Sequence, residues 1–105
     1  MLEKNIDLKG KTVLVTGAAG FIGSNLVVEL LNTVDNIHIV GIDNMNDYYD
    51  VSLKEYRLEQ ISRCLEAVSG TFVFIRDSIA NKEVIEKIFA EYKPSVVVNL
   101  AAQAG

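Results

Sequence analysis

The sequence predicts an α/β fold, a doubly wound parallel sheet with spatial strand order 3-2-1-4, and three observations carry that reading. Short β-branched runs alternate with longer segments of helical periodicity along the whole chain. Those runs are near-continuously apolar, as strands covered on both faces of a sheet require. A Gly, Asn, Asp or Pro marks each switch, and the order βαβαβαβ implies parallel pairing through helical crossovers.

In order, Lys11 to Thr16 (KTVLVT) is expected as the first strand, ended by Gly17. Phe21 to Asn32 follows as a helix, with Ile22, Leu26 and Leu30 at helical spacing. Ile37 to Ile42 (IHIVGI) reads as the second strand, closed by Asp43 and a polar loop through Asp50. Ser52 and Glu55 have the spacing of a capping box, and Leu58, Ile61, Leu65 and Val68 form one stripe of a second helix reaching about Val68. Thr71 to Ile75 is the third strand, Lys82 to Tyr92 the third helix with Val84, Ile85, Ile88 and Phe89 inward, and Ser95 to Leu100 the fourth strand after Pro94. Only AAQAG follows, whereas sheets of this kind usually continue. Residues 1–105 are therefore expected to be a partial domain that lacks further strands.

The chain has 105 residues, half of them apolar, 23% charged and a formal net charge of −4, the profile of a folded globular domain. Its 14 Asp and Glu against 10 Lys and Arg, with no basic cluster, speak against a nucleic-acid partner. No apolar run approaches the roughly 20 residues that span a bilayer, and Met1 begins a polar segment, so the expected address is the cytoplasm. The single cysteine, Cys64, excludes an internal disulfide and a cysteine-based zinc site.

Gly17-Ala-Ala-Gly20-Phe-Ile-Gly23 lies between the first strand and the first helix, the context that a glycine-rich pyrophosphate loop demands. Gly17 permits the tight turn, Gly20 lets backbone approach phosphate, and Gly23 lets the helix pack close to the strand. Unpaired N–H groups at the helix start then face the anion. Ser24 rather than Lys follows Gly23, so a Walker-type loop is excluded. Asp43 stands 20 residues beyond Gly23, where a carboxylate accepts hydrogen bonds from both adenosine ribose hydroxyls. A 2′-phosphate would meet like charge there, and no Arg or Lys lies near Asp43 in sequence to offset it, so the expected cofactor is NAD. The fold is accordingly expected to be Rossmann-like.

Three segments, TGAAGFIGS (Thr16 to Ser24), DNMNDYYDVSLKEYRL (Asp43 to Leu58) and NLAAQAG (Asn99 to Gly105), together resemble the extended short-chain dehydrogenase/reductases. The second and third are most similar to the UDP-glucuronate 4-epimerases. The resemblance covers nearly the whole chain but only the N-terminal third or so of such an enzyme. It implies that Gly17, Gly20, Phe21, Ile22 and Gly23 surround the pyrophosphate and Asp43 holds the ribose. Asn44, with Asn46 or Asp47, would lie beside the adenosine, and Asp77 would contact the adenine amino group with Ser78 beside it. Leu100, Ala101 and Ala102 would run past the nicotinamide-side ribose. Asn99 stands where many relatives have His, a departure expected to affect strand packing more than cofactor choice.

The family reaction moves a hydride from sugar C4 to NAD and back, and needs a Tyr base with a Lys four residues later. Four residues after Tyr48, Tyr49, Tyr56 and Tyr92 stand Ser52, Leu53, Gln60 and Val96, so no such pair is encoded and no catalytic residue is assigned. A nucleotide sugar would therefore be a partner of the longer enzyme only. A nucleotide-sugar 4,6-dehydratase, which shares this first half, and a non-catalytic dinucleotide-binding module are the alternatives. His38 is expected to be structural, Cys64 a spacer, and Tyr48 and Tyr49 packing residues near the second helix. The fourth strand, Val96 to Leu100, has an interior composition, so homo-oligomerisation through its uncovered edge is expected.

Overall fold

A computed structural model describes residues 8–45 and 51–100, with the side chain of Val51 excepted. The elements are β1 (Thr12–Thr16), α1 (Phe21–Thr33), β2 (His38–Asp43), α2 (Val51–Leu65), β3 (Thr71–Arg76), α3 (Lys82–Tyr92) and β4 (Val96–Asn99). All strand pairs are parallel, and the sheet order is β3-β2-β1-β4, as the sequence predicts. Thr16 pairs with Ile42 and Asn99, and Ile42 pairs with Ile75, so the carboxyl ends of all four strands lie along one edge.

Both faces of the two central strands are closed. On one face Val13, Val15 and Ile39 pack with Val27 and Leu31 of α1 and Ile61 of α2. On the other, Leu14, Val40 and Ile42 pack with Ile88 of α3. The flanking strands are only half covered, with Val73 38% and Val97 47% exposed. β1 and β2 are therefore buried along nearly their whole length, whereas in β4 and the first part of β3 half-buried and exposed residues alternate.

Four sequence expectations are corrected. In α1 the buried residues are Gly23, Ser24, Val27 and Leu31, whereas of the three apolar residues at helical spacing Leu26 and Leu30 are half-buried, Leu30 packing on the core, and Ile22 is 66% exposed. The shift of one residue is a rotation of about 100°, and Gly23 imposes it. A Cβ on Gly23 would sit 2.1 Å from the Gly17 carbonyl oxygen, so the helix turns its glycine toward the loop. Secondly, Ser52 does not cap α2: the chain is already helical at Val51, whereas an N-cap residue has extended backbone. Thirdly, α2 stops at Leu65, where Glu66 and Ala67 N–H groups donate to the Arg63 and Cys64 carbonyls, yet Val68 still packs on the core. Finally, Phe89 is 42% exposed rather than inward, because α3 closes its sheet face through Ile88, flanked by Val84, Ile85 and Tyr92.

The third helix matches its expected bounds. Asn81 caps it, its Oδ1 accepting the Val84 N–H, and Lys93 ends it in the left-handed region (φ 48°) just before Pro94. His38 is exposed on β2 with Nδ1 2.8 Å from Thr71 Oγ1, and Cys64 packs against the core with Sγ 3.4 Å from Asn32 Oδ1. No helix among the described residues is long and apolar enough to cross a membrane.

The Gly23–Gly17 contact generates a stability prediction. Gly23→Ala should lower unfolding free energy by about 3 kcal/mol, since its Cβ meets backbone that cannot yield. Gly10→Ala, at φ +73° but with nothing within 4 Å, should lose only about 1 kcal/mol. Urea melts of the two variants beside the parent chain measure the difference.

Candidate functional site

The loop from β1 to α1 is shaped by its glycines and backbone hydrogen bonds into a cradle. Gly17 takes φ 70°, open to glycine at little cost, and turns the chain so that the Gly17 and Ala18 N–H groups both donate to the Ile42 carbonyl at the end of β2. Gly20 caps α1 without any side-chain hydrogen bond, and an added Cβ there would approach the Gly17 oxygen to 3.3 Å. The first-turn N–H groups of α1 have no intrahelical acceptor by construction, and the helix dipole adds partial positive charge. With Phe21 and Ile22 68% and 66% exposed, the helix start is open on its outer side. A pyrophosphate fits such a cradle of glycine and unfilled donors.

Asp43 ends β2 beside this loop. It is 6% exposed, and three donors converge on its carboxylate among the described residues. Ala19 N–H donates to Oδ2 (3.0 Å), and Met45 N–H (2.8 Å) and Lys54 Nζ (2.9 Å) both donate to Oδ1. Met45 is itself buried in a left-handed conformation (φ 59°), a backbone state that Asp43 holds in place through this bond.

Lys54 corrects the sequence reading. No cation is close to Asp43 along the chain, but α2 returns Lys54 to it, with side-chain exposures of 13% and 4% for the pair. Arg57, one helical turn on, places its guanidinium 3.4 Å from the Ala19 carbonyl and 5.8 Å from the Phe21 ring centroid. The signal that could have found both cations was their three-residue spacing, which puts them on one face of α2.

The remaining predicted residues divide by place. The Asp77 N–H donates to the Asp43 carbonyl (3.2 Å), which sets Asp77 directly beside the second strand's end. Its carboxylate accepts the Ser78 N–H (2.7 Å) and Asn81 Nδ2 (3.3 Å), while Ser78 Oγ accepts the Ala80 N–H. Asn44 is exposed next to Asp43. Leu100 N–H reaches Thr16 at both its carbonyl (3.2 Å) and Oγ1 (2.9 Å), and Asn99 Oδ1 accepts the Thr16 hydroxyl. Asn99 thus ties β4 to β1. Gly17, Gly20, Gly23, Asp43, Asp77 and Leu100 are brought to the same sheet edge. Asn46, Asp47, Tyr48, Tyr49, Ala101 and Ala102 lie outside the described residues.

An apolar groove of about 310 Å³ runs between α1 and α2, lined by Ser24, Asn25, Val28, Leu53, Tyr56 and Gln60 together with Phe21 and Arg57. Neither Asp43 nor Asp77 lines it, and it adjoins the glycine loop through Phe21 and Arg57.

The GDP-mannose 4,6 dehydratase family model matches residues 14–105. The chain belongs to this family. Protein CapI of Staphylococcus aureus is 44% identical over 93 residues, covering 89% of this chain and 25% of that protein. UDP-glucuronate 4-epimerase 4 of Arabidopsis thaliana is 43% identical over 96 residues, covering 91% of this chain and 20% of that enzyme. Among solved structures, a UDP-glucose-4-epimerase from Stenotrophomonas maltophila, with NAD and formylated UDP-arabinopyranose bound, superposes with a TM-score of 0.67. It shares 28% identity over 90% of this chain and 25% of its own. The chain thus spans about a quarter or less of these relatives, and the extended short-chain dehydrogenase/reductase resemblance agrees with them.

The carboxylate network generates a second prediction. Asp43→Ala strands the Ala19 and Met45 N–H groups and a largely buried lysine, and should cost about 3 kcal/mol in chemical denaturation. Lys54→Met leaves Asp43 two N–H donors and should cost clearly less.

Proposed function

We propose that this chain is the NAD-binding N-terminal portion of a nucleotide-sugar 4-epimerase of the UDP-glucuronate 4-epimerase kind. The observation that carries the reading is the placement of Asp43 beside the Gly17–Gly23 cradle at the carboxyl edge of the sheet, where a dinucleotide bridges loop and strand end. Relatives named as UDP-glucuronate 4-epimerases, 43% identical to this chain in the Arabidopsis example, support the epimerase assignment. The family model's description favours the 4,6-dehydratase as the second reading.

In this reading Gly17, Gly20, Phe21, Ile22 and Gly23 hold the pyrophosphate through backbone, and Asp43 and Asn44, with Asn46, hold the adenosine ribose end. Asp77 and Ser78 flank the adenine, and Leu100, Ala101 and Ala102 follow the nicotinamide half. NAD supplies a reversible hydride acceptor for sugar C4. The 105 residues contribute cofactor binding and orientation but no Tyr and Lys pair, so purified chain supplied with UDP-glucuronate and NAD should not turn over. The cytoplasm is the proposed location.

Calorimetric titration with NAD and NADP tests the core of this assignment. NAD should bind more tightly than NADP, with weak absolute affinity for these 105 residues, which span about a quarter or less of the relatives they match. Tighter binding of NADP would remove Asp43 from its assigned role.

Self-association is proposed for the chain alone. Among the described residues β4 pairs only with β1, and Val97 on its surface is 47% exposed with no lysine or bulge to deter pairing. Sedimentation should show a dimer that Val97→Lys dissociates. A monomeric parent, or an oligomer indifferent to that charge, would defeat the proposal.

A further inference from the structure

We infer that Lys54 is a specificity-determining residue of the dinucleotide site and a latent 2′-phosphate ligand that Asp43 keeps engaged. The inference rests on the NAD-binding reading above and deepens it. A lone carboxylate would repel a 2′-phosphate by charge. Asp43 is not alone: Lys54 Nζ lies 2.9 Å from its Oδ1, and the ion pair leaves no net charge at the ribose position. A group that hydrogen-bonds to Oδ1 stands within about 6 Å of the ammonium, inside the reach of a flexible four-carbon stem.

Preference for a free 2′-hydroxyl therefore depends on the pair staying closed. Asp43 accepts from the ribose and at the same time occupies the one cation in contact with it among the described residues. Arg57 adds positive charge to the same loop through its contact with the Ala19 carbonyl. With Asp43 neutralised, an ammonium held near a buried position is freed toward the 2′-oxygen, the arrangement by which a cation accommodates a 2′-phosphate. With Lys54 removed instead, the carboxylate regains its full charge and exclusion of the phosphate sharpens. Opposite effects from the two members of one ion pair would not arise if Lys54 only supported the fold.

The test is calorimetric titration of NAD and NADP into the parent chain, Asp43→Asn, Lys54→Met and the double variant, with folding of each checked by circular dichroism. Asp43→Asn should bind NADP at least about tenfold more tightly than the parent does, and the double variant should lose that gain. Lys54→Met, which keeps Asp43 and its two N–H donors, should raise the ratio of NAD to NADP affinity. That arm still decides the matter if Asp43→Asn does not fold. An unchanged ratio in Lys54→Met, or a gain in Asp43→Asn that survives removal of Lys54, overturns the inference while leaving NAD binding intact. Binding of neither dinucleotide by the parent or any variant overturns both the inference and the reading beneath it.

Discussion

The close approach of Gly23 to Gly17 organises the molecule around it. Because a Cβ would stand 2.1 Å from the Gly17 oxygen, only glycine lets the first turn of α1 settle against the end of β1. That approach fixes the rotation of α1, and with it the choice of Val27 and Leu31 as the residues that meet β1 and α2 in the core. It also leaves Phe21 and Ile22 facing outward and the first-turn N–H groups at the strand edge. Core packing and the cradle are thus two consequences of one contact, so a change that relieved the crowding would alter both.

Asp43 is the second point where fold and site coincide. Its carboxylate links the β1–α1 loop through Ala19, the turn after β2 through Met45, and α2 through Lys54. Its backbone carbonyl meanwhile receives the Asp77 N–H from the end of β3. A residue with this many structural partners is held in one orientation before any ligand arrives, which lowers the ordering cost of binding. The same partners mean that its chemistry cannot be read as that of an isolated carboxylate in water.

The sheet is finished at its centre and open at its flanks. β1 and β2 are sealed on both faces, so the strands that carry the glycine loop and Asp43 are the best supported part of the fold. β4 is joined to β1 by a four-residue register and by the Thr16, Asn99 and Leu100 hydrogen bonds, yet exposes Val97. The glycine loop and Asp43 therefore stand on well-covered central strands, whereas Leu100 follows a thinly covered one.

The order of elements, the parallel sheet and the positions of Gly17, Gly20, Gly23 and Asp43 were determined by the sequence itself. Each rests on local physics: the residue types that tolerate a positive φ or a close approach, and the apolar runs that tolerate burial on two faces. Three features were decided only by tertiary structure. Ile22 and Phe89 look like core residues by periodicity, but which flank of a helix is covered depends on the partner surface, and here Gly23 and the α3 face chose otherwise. The start of α2 precedes the Ser52–Glu55 pattern, because a short motif cannot show whether the chain before it is already helical. Lys54 stands eleven residues from Asp43, and only the packing of α2 beside the glycine loop brings them to 2.9 Å. Charge complementarity between distant residues leaves no trace in local composition, since it acts through distances that the fold alone sets.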